Sequence, residues 1–251
     1  MSEAQRTLDG QWVLITGAGK RIGACVARTL HAAGANIAIH YRGSKGPALQ
    51  VANELNDLRD GSAITIGADL LDIARLPAVV DEVIGQTGRL DILINNASSF
   101  YPTPVGDITE DQWDDLIGTN LKAPLFLSQA CVPHLRTAGG TIINIVDIHA
   151  TRPLRHHTIY GPAKAGLAML TRTLARDLAP DIRVNGVSPG AILWPEDGMT
   201  DGVKDSIIKQ VPLARPGEPE DIAGCILYLV RDAVYVTGQI IAVDGGRSIG
   251  W

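Results

Sequence analysis

Tyr160 and Lys164 stand four residues apart in the run Tyr160-Gly161-Pro162-Ala163-Lys164, near the start of a predicted helix. Residues at that spacing share one helical face, so a phenol and an ammonium are brought together. A tyrosine ordinarily titrates near pH ~10, too high for acid–base work at neutral pH. A fixed cation beside it favours the phenolate, so the pair is expected to lower the tyrosine's pKa and ease proton exchange. Asp147, 13 residues earlier, adds a carboxylate that can hydrogen-bond the phenol or a water and relay a proton. Taken alone, the tyrosine–lysine spacing is also that of an ordinary helix surface.

A second cluster lies near the amino end. An apolar run leads straight into Thr16-Gly17-Ala18-Gly19-Lys20-Arg21-Ile22-Gly23 and then into an apolar-striped helix. Glycines at such a junction let backbone approach a pyrophosphate, which the amides and positive end of the helix then hold. The spacing is G-x-G-x-x-x-G rather than G-x-G-x-x-G, and a flexible strand–helix turn is its plainer reading. The next strand ends in His40-Tyr41-Arg42-Gly43-Ser44-Lys45, where an NAD site commonly places Asp or Glu. Residues 10 to 53 hold no acidic residue, yet carry Lys20, Arg21, Arg28, Arg42 and Lys45. An arginine fork suits a 2′-phosphate and a carboxylate would repel it, so NADPH is the expected cofactor. A solvated basic face accounts for Arg28 more readily than for Arg42.

The elements that must position these groups alternate along the chain. Strands are predicted at 11–16, 36–41, 62–67, 90–95, 140–147, 182–188 and 239–243, with helices near 21–33, 46–59, 73–87, 110–136, 160–178 and 218–230. Near-continuous apolar strands between helices predict an α/β fold, a parallel sheet covered on both faces. No repeat or linker divides the chain, so residues 1–251 are read as one domain. Residues 191–217, with Pro195, Gly198, Gly202, Pro212 and Pro216, are read as a long substrate loop with room for one short helix.

Composition excludes several other classes. With 251 residues, 45% hydrophobic, the chain can bury a large core. A net charge of −5 without a basic tail argues against nucleic acid. The opening residues lack the apolar stretch of a signal peptide, and no run of about 18 apolar residues occurs, so no membrane partner is expected and the protein is read as cytoplasmic. Cys25, Cys131 and Cys225 lie far apart without metal-ligand spacing and are read as reduced thiols.

In order, residues 16–23, Asp69, Asn95-Asn96-Ala97, Asn120, Tyr160 with Lys164, and Pro189-Gly190 resemble the short-chain dehydrogenase/reductase family over about residues 10 to 246. The resemblance implies a Rossmann-like, doubly wound fold of seven parallel strands, usually a dimer or tetramer; a homotetramer is expected here. It assigns Gly17, Lys20, Arg21, Ile22, His40, Tyr41, Arg42, Ser44, Ser98, Pro189 and Gly190 to the cofactor. It also sets Asp69 and Leu70 against adenine and Asn96 and Ala97 along the dinucleotide, with Tyr160 and Lys164 touching it. Asn120 would link the lysine to solvent. Most members carry Ser at the position of Asp147 and Gly at that of Arg21. These departures, with Ser98-Ser99-Phe100-Tyr101-Pro102-Thr103-Pro104, are similar to the pteridine reductase subfamily. There the residue matching Phe100 stacks on a pterin, those matching Arg21 and Ser98 contact pterin and phosphate, and those matching Asp147 and Tyr160 handle the proton. The chemistry agrees: reducing a C=N bond needs hydride at carbon and a proton at nitrogen, whereas a serine suits a carbonyl oxygen becoming an alkoxide.

Other residues carry weaker signals. A cation such as Arg21 at a helix N-terminus opposes the helix dipole, which a phosphate would answer. Phe100 could equally be a core aromatic. Arg152, Arg155, His156 and His157 could meet an acidic substrate tail or simply be a solvated loop. Trp194 is placed over the substrate, Trp113 in core or subunit contact, and Trp251 near a neighbouring subunit's site. Asp147, His149, His156 and His157 are not read as a metal site. The expected function is NADPH-dependent reduction of a dihydropterin, with dihydrofolate or an oxidised pterin as related substrates. The rivals are a carbonyl or 3-oxoacyl reductase of the same fold and a non-catalytic NADPH-binding regulatory protein.

Overall fold

The computed structural model describes residues 7–192 and 200–249. All seven predicted strands form: β1 (Trp12–Ile15), β2 (Asn36–Tyr41), β3 (Ala63–Gly67), β4 (Ile92–Asn95), β5 (Thr141–Ile145), β6 (Arg183–Pro189) and β7 (Ile240–Val243). They make one parallel sheet in the order β3-β2-β1-β4-β5-β6-β7. The chain winds outward from β1 to β3, then crosses back and winds the other way from β4. Clefts open where the winding reverses, beyond the carboxyl ends of β1 and β4.

Alternation along the strands builds two apolar layers. Val13, Ile15, Ile37, Ile39, Ile94 and Ile143 face a layer completed by α1 (Arg21–Ala32), α2 (Lys45–Leu58) and α8 (Pro219–Leu227). Leu14, Ala38, Leu93, Ile142 and Val184 face the other, closed by α3 (Leu76–Thr87), α5 (Ala123–Ala138) and α6 (Tyr160–Leu178). Period-2 side chains thus bury both sheet faces, which is why the strands read as continuous apolar runs.

Two differences from the sequence reading appear in the helices, while the loop bears out the short helix it had room for. The helix expected over 110–136 is α4 (Glu110–Ile117) and α5, joined by a π turn at Gly118–Lys122. Asn120 lies in that turn and its side-chain amide donates to the Leu116 carbonyl at 2.9 Å, taking the acceptor an α-helical N–H would use. The helix after 218 likewise ends in a π turn, Tyr228–Asp232. Within the expected loop, Asp201–Ile208 forms the short helix α7. Among the described residues no helix is long and apolar enough to cross a membrane.

Candidate active site

The glycine loop is held from three sides. Gly17 adopts φ +64°, and its N–H donates to Nδ1 of His40 at 3.3 Å. Since Nδ1 accepts, Nε2 carries the proton and donates to the Ala68 carbonyl at 3.1 Å. Burial pushes the His40 pKa down to about 4, against weaker support from Ala68 and Asp69. His40 is therefore a neutral bridge from β2 to the loop. Thr16 Oγ1 accepts from the amides of Asn96 and Ala97 at 2.9 Å each, and Asn96 Nδ2 donates back to the Thr16 carbonyl at 2.8 Å. At Gly23 a side chain would sit 2.6 Å from the Gly17 carbonyl, so only glycine allows this approach.

Beside the loop lies a cavity of about 450 Å³, with Gly17, Lys20, Arg21, Arg42, Ser44, Asp69, Leu70 and Ala97 in its wall. Loop amides, the start of α1 and three cations suit a dinucleotide with an additional phosphate. Arg42 is more than half exposed, and its ion pair with Asp115 is a loose 3.9 Å contact. Arg21 begins α1 at φ +52°, a left-handed conformation that glycine adopts freely and arginine does not. Such strain costs about 1–3 kcal/mol, which the fold tolerates where a side chain has work to do. Tyr41 does not line this cavity; strand alternation turns it from His40, and its ring lies over Gly67.

Arg21, Ile22, Asn96 and Ser98 also line a second cavity of about 560 Å³, so the two form one cleft. Its wall brings together Phe100, Asp147, Tyr160, Lys164, Pro189 and Gly190. Phe100 is 49% exposed, which excludes the core-aromatic alternative. Its ring stacks on His157 at 4.7 Å and meets Tyr160 edge-on at 4.8 Å.

The proton-handling groups sit just past β5 and at the head of α6. Tyr160 donates its hydroxyl proton to Asp147 Oδ2 at 2.8 Å, while Asp147 Oδ1 accepts the His149 amide at 2.8 Å. Lys164 is buried, donates to the Ile145 carbonyl at 2.9 Å and lies 5.7 Å from the Tyr160 ring centre. The tyrosine pKa moves opposite to the lowering that the Tyr160–Lys164 spacing predicts. Burial and then the Asp147 carboxylate raise it well above the usual value, with Ser98 opposing weakly. The lysine is the group pulled down, to about 8, by burial, with Asp147 opposing.

Asn120 is fully buried; it accepts from the Ser98 hydroxyl at 2.6 Å and donates to the Ser99 carbonyl at 2.9 Å. No direct hydrogen bond to Lys164 occurs among the described residues, so the expected link to solvent is not a direct contact. Trp194 and Trp251 lie outside the described residues. Trp113 is half exposed, so its core reading fails. Among the described residues no group of three or more potential ligands could hold a metal.

The second cavity also recruits His149, Leu154, Ile207 and Arg247, which the sequence reading did not place there. His149 follows Asp147 by two residues and could have been found; Arg247 is brought in from a turn 100 residues later by the return of β7 to the sheet.

A family model described as enoyl-(acyl carrier protein) reductase matches residues 17–248. Pteridine reductase 1 of Leishmania tarentolae is 38% identical, over 94% of this chain and 96% of its own. The 3-oxoacyl-[acyl-carrier-protein] reductase FabG of Staphylococcus aureus is also 38% identical, over 93% and 96%. An uncharacterised oxidoreductase of Methylorubrum extorquens is 35% identical, over 95% and 98%. With the parallel sheet, the glycine loop and the Tyr160–Lys164 pair, these matches identify the chain as a member of the short-chain dehydrogenase/reductase family of NAD(P)-dependent oxidoreductases.

Proposed function

We propose that the protein is a pteridine reductase, reducing a dihydropterin, or a related folate or oxidised pterin, to the tetrahydro form with NADPH. The observation that carries this reading is the hydrogen bond from buried Tyr160 to Asp147, where a carbonyl reductase of this family would have serine. Bound NADPH supplies the hydride, and Arg21, Arg42 and the loop amides hold its phosphates. Phe100 offers an exposed apolar face for a planar ring. The Tyr160–Asp147 pair delivers one proton to the ring nitrogen beside the carbon that receives hydride, and solvent reloads the pair. A carboxylate accepts hydrogen bonds from pterin N–H groups, which a serine hydroxyl does less well. The same reading makes the protein a cytoplasmic homotetramer, whose assembly light scattering checks.

FabG, at the same identity, favours a second reading as a 3-oxoacyl reductase. NADPH oxidation with dihydromonapterin, dihydrobiopterin, dihydrofolate, an oxidised pterin and a small 3-oxoacyl thioester separates the two. Turnover of pterins, reduced about 10²–10⁴-fold by Tyr160→Phe, is expected. Asp147→Ser is expected to lose pterin turnover. Oxidation with the thioester alone would replace the reading, as would full pterin activity in Tyr160→Phe. Tight NADPH binding with no oxidation of any substrate would point to a regulatory protein.

A further inference from the structure

Arg247 enters the substrate cavity from the turn after β7. That turn is rigidly built. Asp244 Oδ1 accepts the Gly246 amide at 2.9 Å and its Oδ2 accepts the Ser248 amide at 2.6 Å, while Gly245 and Gly246 take φ +63° and +86°. The Arg247 backbone is tied down as well, its N–H to Asp244 and its carbonyl to the Arg152 guanidinium. A second cation is thereby drawn to the same end of the cavity.

The guanidinium itself is half-buried, and among the described residues it makes no hydrogen bond and no ion pair within 4 Å. Two carboxylates lie near enough to act on it, Asp147 and Asp244. Neither comes within ion-pair distance of it: the Asp147 oxygens accept from Tyr160 and His149, and those of Asp244 from backbone amides. Burial disfavours its charge, and outweighs the attraction of Asp147. Its five N–H donors, fixed in a planar fork, therefore find no acceptor within hydrogen-bond distance among the described residues. Such a group is satisfied by an oxyanion in a bidentate pair.

We propose that Arg247 is an anion subsite of the substrate cavity and selects substrates carrying an oxyanion, a carboxylate or a phosphate, away from the reacting atoms. The inference rests on the proposed function only in taking this cavity as the substrate's. A folate-type tail would bring carboxylates, and a coenzyme-A-type thioester would bring phosphates.

The test is ligand affinity on the NADP⁺-bound protein, which cannot reduce what it binds, read by quenching of tryptophan fluorescence. Two pairs are compared: dihydrofolate with its bis-amide, and acetoacetyl-coenzyme A with acetoacetyl-N-acetylcysteamine. In the unmodified protein the anionic member of at least one pair should bind more tightly. Arg247→Gln should shrink that preference about 10- to 100-fold, with Arg247→Lys intermediate. A collapse in the first pair assigns the carboxylate, and one in the second the phosphate. A preference unchanged in both pairs, including equal loss of both members, would overturn the subsite, as would failure of both anionic ligands to bind. If only the thioester pair binds and its preference collapses, the subsite stands and the pteridine reading falls.

Discussion

Lys164 allows a test in which stability and activity must move in opposite directions over one pH window. Its ammonium is buried, with the Ile145 carbonyl as its hydrogen-bond acceptor, and burial pulls its pKa to about 8. A solvated lysine titrates near ~10.4. Below pH ~8 both the folded and unfolded chains carry the charge, and folding bears the full desolvation cost. Between ~8 and ~10.4 the unfolded chain keeps a proton that the folded one has released, so stability rises with pH. At about 1.4 kcal/mol per pH unit inside that window, and less at its edges, Lys164 adds about 2 kcal/mol between pH ~7.5 and ~9.5. Urea unfolding of the wild type and Lys164→Met at those two pH values measures it. The Ile145 carbonyl left without its donor is a pH-independent offset. Subtraction also removes Cys25, Cys131 and Tyr160, whose raised values act with the opposite sign. The kcat/KM of the wild type should fall through the same window with a midpoint near 8, as the cation beside the Tyr160 ring is lost. A stability difference below about 0.5 kcal/mol, or activity flat to pH ~9.5, would refute the assignment.

Arg42→Asp should cost NADPH affinity about 100-fold and bring NADH to parity or better; an unchanged NADPH/NADH ratio would move the 2′-phosphate site elsewhere. His40→Ala removes the acceptor for the Gly17 amide and the donor to Ala68, and should cost about 2–4 kcal/mol and weaken NADPH binding. Because the folded value lies near 4 and a free histidine near ~6.5, wild-type stability should fall as the pH drops through that interval, by about 3 kcal/mol more than in His40→Ala. Parallel pH–stability curves for the two proteins would contradict the neutral bridge.

Strand identity was legible because burial on both faces leaves an unbroken apolar signature, as in Val13-Leu14-Ile15. The π turn at Asn120 was not, because it follows from a side-chain amide competing for one carbonyl, and helical periodicity carries no record of that. Arg21 sat in plain view as a departure from glycine, and its positive φ gives the departure a physical cost. His40 and Tyr41 were read together from their position, yet one residue of strand alternation sends His40 to the cavity and Tyr41 to Gly67. Arg247 was invisible to spacing, since only the sheet order brings β7 beside β6 and its turn over the cavity that Asp147 and Tyr160 line.

The tyrosine–lysine–aspartate cluster shows most directly what spacing omits. Four residues along a helix put Lys164 near Tyr160, and counting charges alone then gives an easily ionised phenol. Burial acts on both groups, and it favours the neutral form of each. The ammonium is anchored to a carbonyl, while the phenol proton points at a carboxylate that resists a second negative charge beside it. The resting cleft therefore holds Tyr160 as a loaded proton donor at every working pH. A reduction consumes one proton for each hydride, so this arrangement starts the cycle in the form that reduction needs. Giving that proton up leaves the phenolate, which burial and Asp147 together disfavour, so the electrostatic cost falls on the proton-transfer step itself.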